Sequence, residues 1–146
     1  MSIVSGLASG TGSTTGMLYL STAVAPTSGL SGAMIFSTGT TTNSNSGAVF
    51  IGTGKATGGR SGQITIGAGL GASKTGGEVL VQGGTSVSDT GGAVTVSSGV
   101  GKTSSGALHL RSAVASTSGV SGIVYLSTGD STGGSPSGHI YIGTGT

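Results

Sequence analysis

The chain has 146 residues, of which 33 are Gly and about a third are Ser or Thr; charged residues make up 5% and the formal net charge is +2. So little charge, with a mean hydropathy of +0.31, argues against a disordered linker, and two Pro with no Gly at every third position exclude collagen. There is no Cys and hence no disulfide framework, and no apolar run approaches the ~20 residues of a membrane span.

The first sixteen residues are a degenerate lead-in that ends on Gly16. From there one phrase recurs: small residue, apolar, any residue, apolar, then small or hydroxyl residues and Gly. The first copy is Met17-Leu18-Tyr19-Leu20-Ser21-Thr22, and its polar tail closes on Gly32. The second, Ala33-Met34-Ile35-Phe36-Ser37-Thr38, closes on Gly47, and the third, Ala48-Val49-Phe50-Ile51-Gly52-Thr53, on Gly62. The fourth runs Gln63-Ile64-Thr65-Ile66 to Gly77, and the fifth Glu78-Val79-Leu80-Val81 to Gly92. The sixth runs Ala93-Val94-Thr95-Val96 to Gly106, and the seventh Ala107-Leu108-His109-Leu110 to Gly122. The eighth is Ile123-Val124-Tyr125-Leu126, closing on Gly138, and the ninth is His139-Ile140-Tyr141-Ile142. The starts are separated by 16, 15, 15, 15, 15, 14, 16 and 16 residues, the mark of a repeat architecture.

Positions two and four of every copy are apolar, while position three is mixed. Strict alternation predicts a short strand with one buried face. Leu18, Leu20, Met34, Phe36, Val49, Ile51, Ile64, Ile66, Val79, Val81, Val94, Val96, Leu108, Leu110, Val124, Leu126, Ile140 and Ile142 are therefore the expected core. Burying one aliphatic side chain stabilises by about 1.5–3 kcal/mol, and ordering one residue costs about 1–2 kcal/mol. Two anchors per repeat cannot hold an isolated unit, so stacking of repeats has to supply the rest. Position six carries Thr22, Thr38, Thr53, Ser98, Ser112, Thr128 and Thr144 among smaller residues; strand parity turns it inward. A Gly or Ala follows at position seven, where a bend or a positive φ is expected. The closing column, Gly16, Gly32, Gly47, Gly62, Gly77, Gly92, Gly106, Gly122 and Gly138, has no exception and reads as a corner that only Gly turns.

The expected fold is all-β: a β-solenoid of nine strand-turn repeats of about 15 residues with two or three strands per coil, since one repeat has no opposing wall. An antiparallel β meander is the alternative; its connections of nine to ten residues exceed the usual hairpin length of about two to five. The chain reads as a single repeat domain over residues 1–146. A longer period lies above the short one, because residues 17–54 match 107–145 at an offset of 90 to 91 residues, six short repeats. The expectation is a segment of a longer repeat protein.

Chemistry-bearing patterns are few. Lys55, Arg60, Lys74, Lys102 and Arg111 are scattered, whereas nucleic-acid binding uses clustered cations. Gly99-Val100-Gly101-Lys102-Thr103 imitates the end of a phosphate-binding loop, but Val96 occupies the place of the first Gly and another strand pattern follows where a helix is needed. Gly129-Asp130-Ser131-Thr132-Gly133 matches the nucleophile-elbow pattern without a strand-to-helix context. His109 and His139 stand apart, and Asp89 and Asp130 are too few for the calcium-binding nonapeptide repeats. No catalytic, cofactor or metal residues are assigned and no cofactor is expected. At position three, Tyr19, Ile35, Phe50, Leu80, Tyr125 and Tyr141 form a partly apolar candidate contact stripe. Outward Thr rows of the kind a flat ice-binding solenoid carries are missing.

The phrase Ser46-Gly47-Ala48-Val49-Phe50-Ile51-Gly52-Thr53-Gly54 resembles the Gly/Ser/Thr-rich short-strand repeats of extracellular surface and filament proteins of algae and other protists, and of viral fibres. The resemblance is compositional and covers the chain from Met17 onward. It implies a structural protein of an extracellular fibre, filament or surface coat, with other copies of itself as partner. An adhesin, a viral fibre shaft or an ice-binding solenoid is the alternative. O-linked glycans on the loop Ser and Thr hydroxyls are an expectation only. The N-terminus has no signal-peptide pattern; composition points to an extracellular or surface-associated place.

Overall fold

The computed structural model describes residues 2–6, 8, 9, 14–72, 75–116 and 118–145; Lys74, one of the scattered cations, lies outside them. Among the described residues there is no helix and no strand: the backbone is coil interrupted by bends and turns. This overturns the expected all-β fold, both the β-solenoid with two or three strands per coil and the antiparallel meander. The physical reason lies in the repeat itself. A strand persists only when a neighbour completes its hydrogen-bond ladder, and a glycine-rich chain loses more entropy on ordering than most. Each repeat sets two large apolar side chains against that loss and brings no second apolar segment to cover them.

The chain divides into two units, Met1–Gly76 and Gly77–Thr146. The first carries the repeats beginning at Met17, Ala33, Ala48 and Gln63. Here the position-six side chain of one repeat meets the closing Gly of its own tail. A Cβ placed on Gly32 would lie 3.7 Å from Thr22 Cγ2, one on Gly47 3.4 Å from Thr38 Cγ2, and one on Gly62 3.2 Å from Thr53 Cγ2. These three polar tails are thus closed loops whose ends meet at a neck. Inside the first loop, the Gly29 amide donates to the Pro26 carbonyl at 2.8 Å and makes a tight turn.

The second unit carries the repeats from Glu78 to His139 and builds the same necks. Two are hydrogen-bonded: Gly92 N–H to Gly84 O at 2.8 Å, and Gly106 N–H to Gly99 O at 2.9 Å. A Cβ on Gly122 would stand 3.6 Å from Ser112 Cβ, and one on Gly138 3.7 Å from Thr128 Cγ2. The neck partners are seven to ten residues apart in sequence, so differences in tail length are taken up within the loop.

These contacts revise the reading of the glycine columns. The position-seven glycines, among them Gly39, Gly54, Gly84 and Gly129, face open space, which explains why Ala23 and Ala113 stand in the same column. A Cβ would be tight at Gly62, 3.2 Å from Thr53 Cγ2, and at Gly92, 3.1 Å from the Gly84 amide nitrogen, whereas at Gly16, Gly32, Gly47, Gly106, Gly122 and Gly138 it would make ordinary contact at 3.4 to 3.7 Å; the one described glycine at positive φ is Gly134, at 78°, inside a loop. The sequence duplication is also geometric. Gly29 lies against Ala25 and Gly119 against Ala115, with would-be Cβ distances of 3.5 and 3.3 Å, and both alanines are half-buried. Pro26 is replaced by Ser116 in the second copy, where Ser118 takes a φ of 68°.

No described residue is buried. The accessible surface is 14668 Å²; for 13.5 kDa, a compactly folded chain exposes about 6,500 Å² and an extended one about 19,600 Å². A graded pattern survives nonetheless. Position-two side chains are 44% (Met34) to 63% (Leu18, Val124) exposed, position-four side chains 64% (Val96) to 88% (Ile142), and the apolar position-three side chains 74% (Leu80) to 92% (Phe50). In each of the six repeats with an apolar third position, the middle residue is the most exposed of the three, as expected where successive side chains point to opposite sides.

The Gly84–Gly92 neck gives a direct check. A Cβ on Gly83 would collide with the Gly92 carbonyl, whereas one on Gly84 meets nothing. Gly83→Ala should open the neck and speed amide exchange at Gly92 about two- to tenfold, the value of one net hydrogen bond. Gly84→Ala should leave it unchanged; equal effects from the two would discard the neck geometry.

Candidate functional site

With the polar tails folded into loops, what the chain presents between necks is a series of short apolar segments. All eighteen residues expected to form a core lie at the surface. Leu18 and Leu20, Met34 and Phe36, Val49 and Ile51, and Ile64 and Ile66 line the first unit. Val79 and Val81, Val94 and Val96, Leu108 and Leu110, Val124 and Leu126, and Ile140 and Ile142 line the second. The candidate contact stripe of Tyr19, Ile35, Phe50, Leu80, Tyr125 and Tyr141 is exposed as well. In the ninth repeat the His139 ring stands edge-on to the Tyr141 ring, with centroids 6.1 Å apart and an interplanar angle of 61°.

The closing column was expected to consist of corners. Gly16, Gly32, Gly47, Gly62, Gly92, Gly106, Gly122 and Gly138 are each placed against the repeat before them: Gly16 has Ser5 Cβ at 3.7 Å from a would-be Cβ, and Gly106 has Ser98 Cβ at 3.6 Å. The position-six side chain was expected to turn inward. Its methyl or Cβ packs instead on the glycine eight to ten residues later in the same chain. The invariance of the closing glycine is legible in the sequence and reads as a corner; that the position-six side chain would be its neighbour is not.

The loops carry the polar contacts. In the loop from Thr85 to Gly91, Ser86 Oγ accepts from the Asp89 amide at 2.9 Å and the Ser88 amide at 3.4 Å. Asp89 Oδ1 in turn accepts from the Thr90 amide at 2.7 Å and from Thr90 Oγ1 at 3.4 Å. Asp89 thereby organises its own loop. In the loop after the second repeat, the Thr41 hydroxyl donates to the Ser44 carbonyl.

The catalytic look-alikes resolve into loops. Gly99 to Thr103 belongs to the loop closed by the Gly106–Gly99 hydrogen bond, and no helix follows it. Gly129 to Gly133 likewise leads into bends. Among the described residues there is no pocket and no group of three or more His, Asp or Glu placed to hold a metal ion. No helix among them is long and apolar enough to cross a membrane.

No protein-family model, no curated protein and no solved structure matches the chain.

The Ser86–Asp89–Thr90 contacts are separable by mutation. Ser86→Ala should speed exchange of the Asp89 amide about two- to tenfold and spare Thr90, whereas Asp89→Ala should do the reverse. Nuclear magnetic resonance exchange rates at the two amides decide it; unchanged rates in both variants would remove this network from the loop.

Proposed function

We infer that the chain is a non-enzymatic structural protein that contributes to an extracellular or surface-associated fibre, filament or coat by association with other copies of itself. The observation that carries this reading is the exposure of nine regularly spaced apolar segments, within a total surface of 14668 Å². Monomeric soluble proteins rarely leave contiguous apolar patches of more than a few hundred Å² uncovered, and larger ones mark interaction surfaces. The low charge supports the same reading, since little electrostatic repulsion opposes association of identical chains. The closed loops place many Ser and Thr hydroxyls in solvent, where they suit a hydrated outer layer and O-linked glycans.

The test is negative-stain electron microscopy of the purified chain over a concentration series, with sedimentation velocity alongside. Filaments or sheets that increase with concentration are expected. A single species of 13.5 kDa at every concentration would count against a self-associating structural role and turn attention to a binding module.

A further inference from the structure

We propose that copies of this chain bind one another through the position-two and position-four side chains, and not through the position-three stripe. The proposal rests on the self-associating structural reading and names the surface that performs it. Four observations converge on this surface and on a second copy as its occupant.

The first is chemical uniformity. Positions two and four are aliphatic, Met or Phe in all nine repeats, whereas position three is interrupted by Thr65, Thr95 and His109 and carries three Tyr hydroxyls. An interface core is depleted of groups that must be desolvated without a partner, and only the two-and-four set meets that condition along each unit.

The second is orientation. Position three is the most exposed residue wherever it is apolar, and position two the least. The difference in exposure separates the two sets, and position two, the most shielded, belongs to the two-and-four set. In the sixth repeat, position two already approaches the preceding repeat: Val94 Cγ2 is 3.6 Å from where a Cβ of Gly83 would stand. A partner covering positions two and four completes a contact the chain has begun.

The third is area. The chain exposes 14668 Å², about 8,000 Å² more than a compactly folded chain of its mass, and a stable protein–protein contact of ordinary size buries about 1,600 Å². The exposed surface is ample for more than one contact of that size, which an occupant that itself repeats can make.

The fourth is spacing. The apolar segments recur every 14 to 16 residues, and the necks take up the differences in tail length. A partner must offer apolar groups at the same intervals, with no charge among them. A second copy of this chain carries apolar groups at these same intervals within each unit.

The test compares two pairs of variants that add the same charge. Ile66→Asp and Val81→Asp alter the proposed surface, one in each unit; Phe50→Asp and Tyr125→Asp alter the stripe, again one in each unit. Because none of these side chains is buried in the single chain, no variant is expected to unfold a core. Sedimentation velocity and light scattering over a concentration series give the concentration at which half the chain is assembled. That value should rise at least about tenfold for Ile66→Asp and Val81→Asp, since each places an unpaired carboxylate in a dry contact, and stay within about threefold of the parent for the stripe variants. Ile66→Asn, which adds no charge, should also raise it.

If the parent chain assembles and the stripe variants are as damaging as the row variants, or the row variants assemble like the parent, the proposal is overturned while the structural reading stands. A parent chain that never assembles overturns both.

Discussion

Each repeat brings two large apolar side chains and no wall to set them against, and the rest of the structure follows from that shortage. A sheet is stabilised by side-chain pairs across neighbouring strands and by closed backbone ladders. The polar tail of each repeat supplies neither. The apolar segments consequently stay in solvent, the chain keeps a surface far larger than a compact protein of its mass, and regular secondary structure is absent among the described residues. What closes does so locally, within seven to ten residues.

The loop necks are that local closure. A methyl group on a closing glycine, as Thr38 on Gly47 or Thr53 on Gly62, is a small contact, strengthened in the Gly84–Gly92 and Gly99–Gly106 necks by a hydrogen bond. Closing a loop of this length costs little more for ten residues than for eight, because the entropy grows only with the logarithm of length. The tails therefore vary in sequence and length while the apolar segments they separate keep their form. The loops collect the polar chemistry, as in the Ser86–Asp89–Thr90 contacts, and leave the segments between them free of charge and hydroxyl at positions two and four.

Much of the local structure was legible in the sequence. The alternation Val49-Phe50-Ile51 reappears as low, high and intermediate exposure, and the likeness of residues 17–32 to 107–122 reappears as the same Ala–Gly packing at Ala25–Gly29 and Ala115–Gly119. The invariant closing glycine reads as a corner; in the structure it sits beside the start of its own tail, closely at Gly62 and Gly92 and at ordinary contact distance elsewhere, and at none of these positions does it take a positive φ. The fold class was not legible. Alternation fixes which side a residue faces but not whether anything covers that side, so Ile64 and Ile66 read as buried and stand exposed. The look-alike at Gly99 to Thr103 shows the same limit in reverse: its residues resemble a phosphate loop, and its context is a pinched coil.

The sequence by itself determined the repeat: its period, its two-sided segments, its glycine columns and its duplicated block, because these depend on residues within a few positions of one another. Only the tertiary structure decided that the tails close on position-six side chains, that position seven faces open space, and that the apolar rows have no cover within one chain. Those outcomes depend on which surfaces meet, and a local pattern carries no information about a surface that the chain itself does not bring.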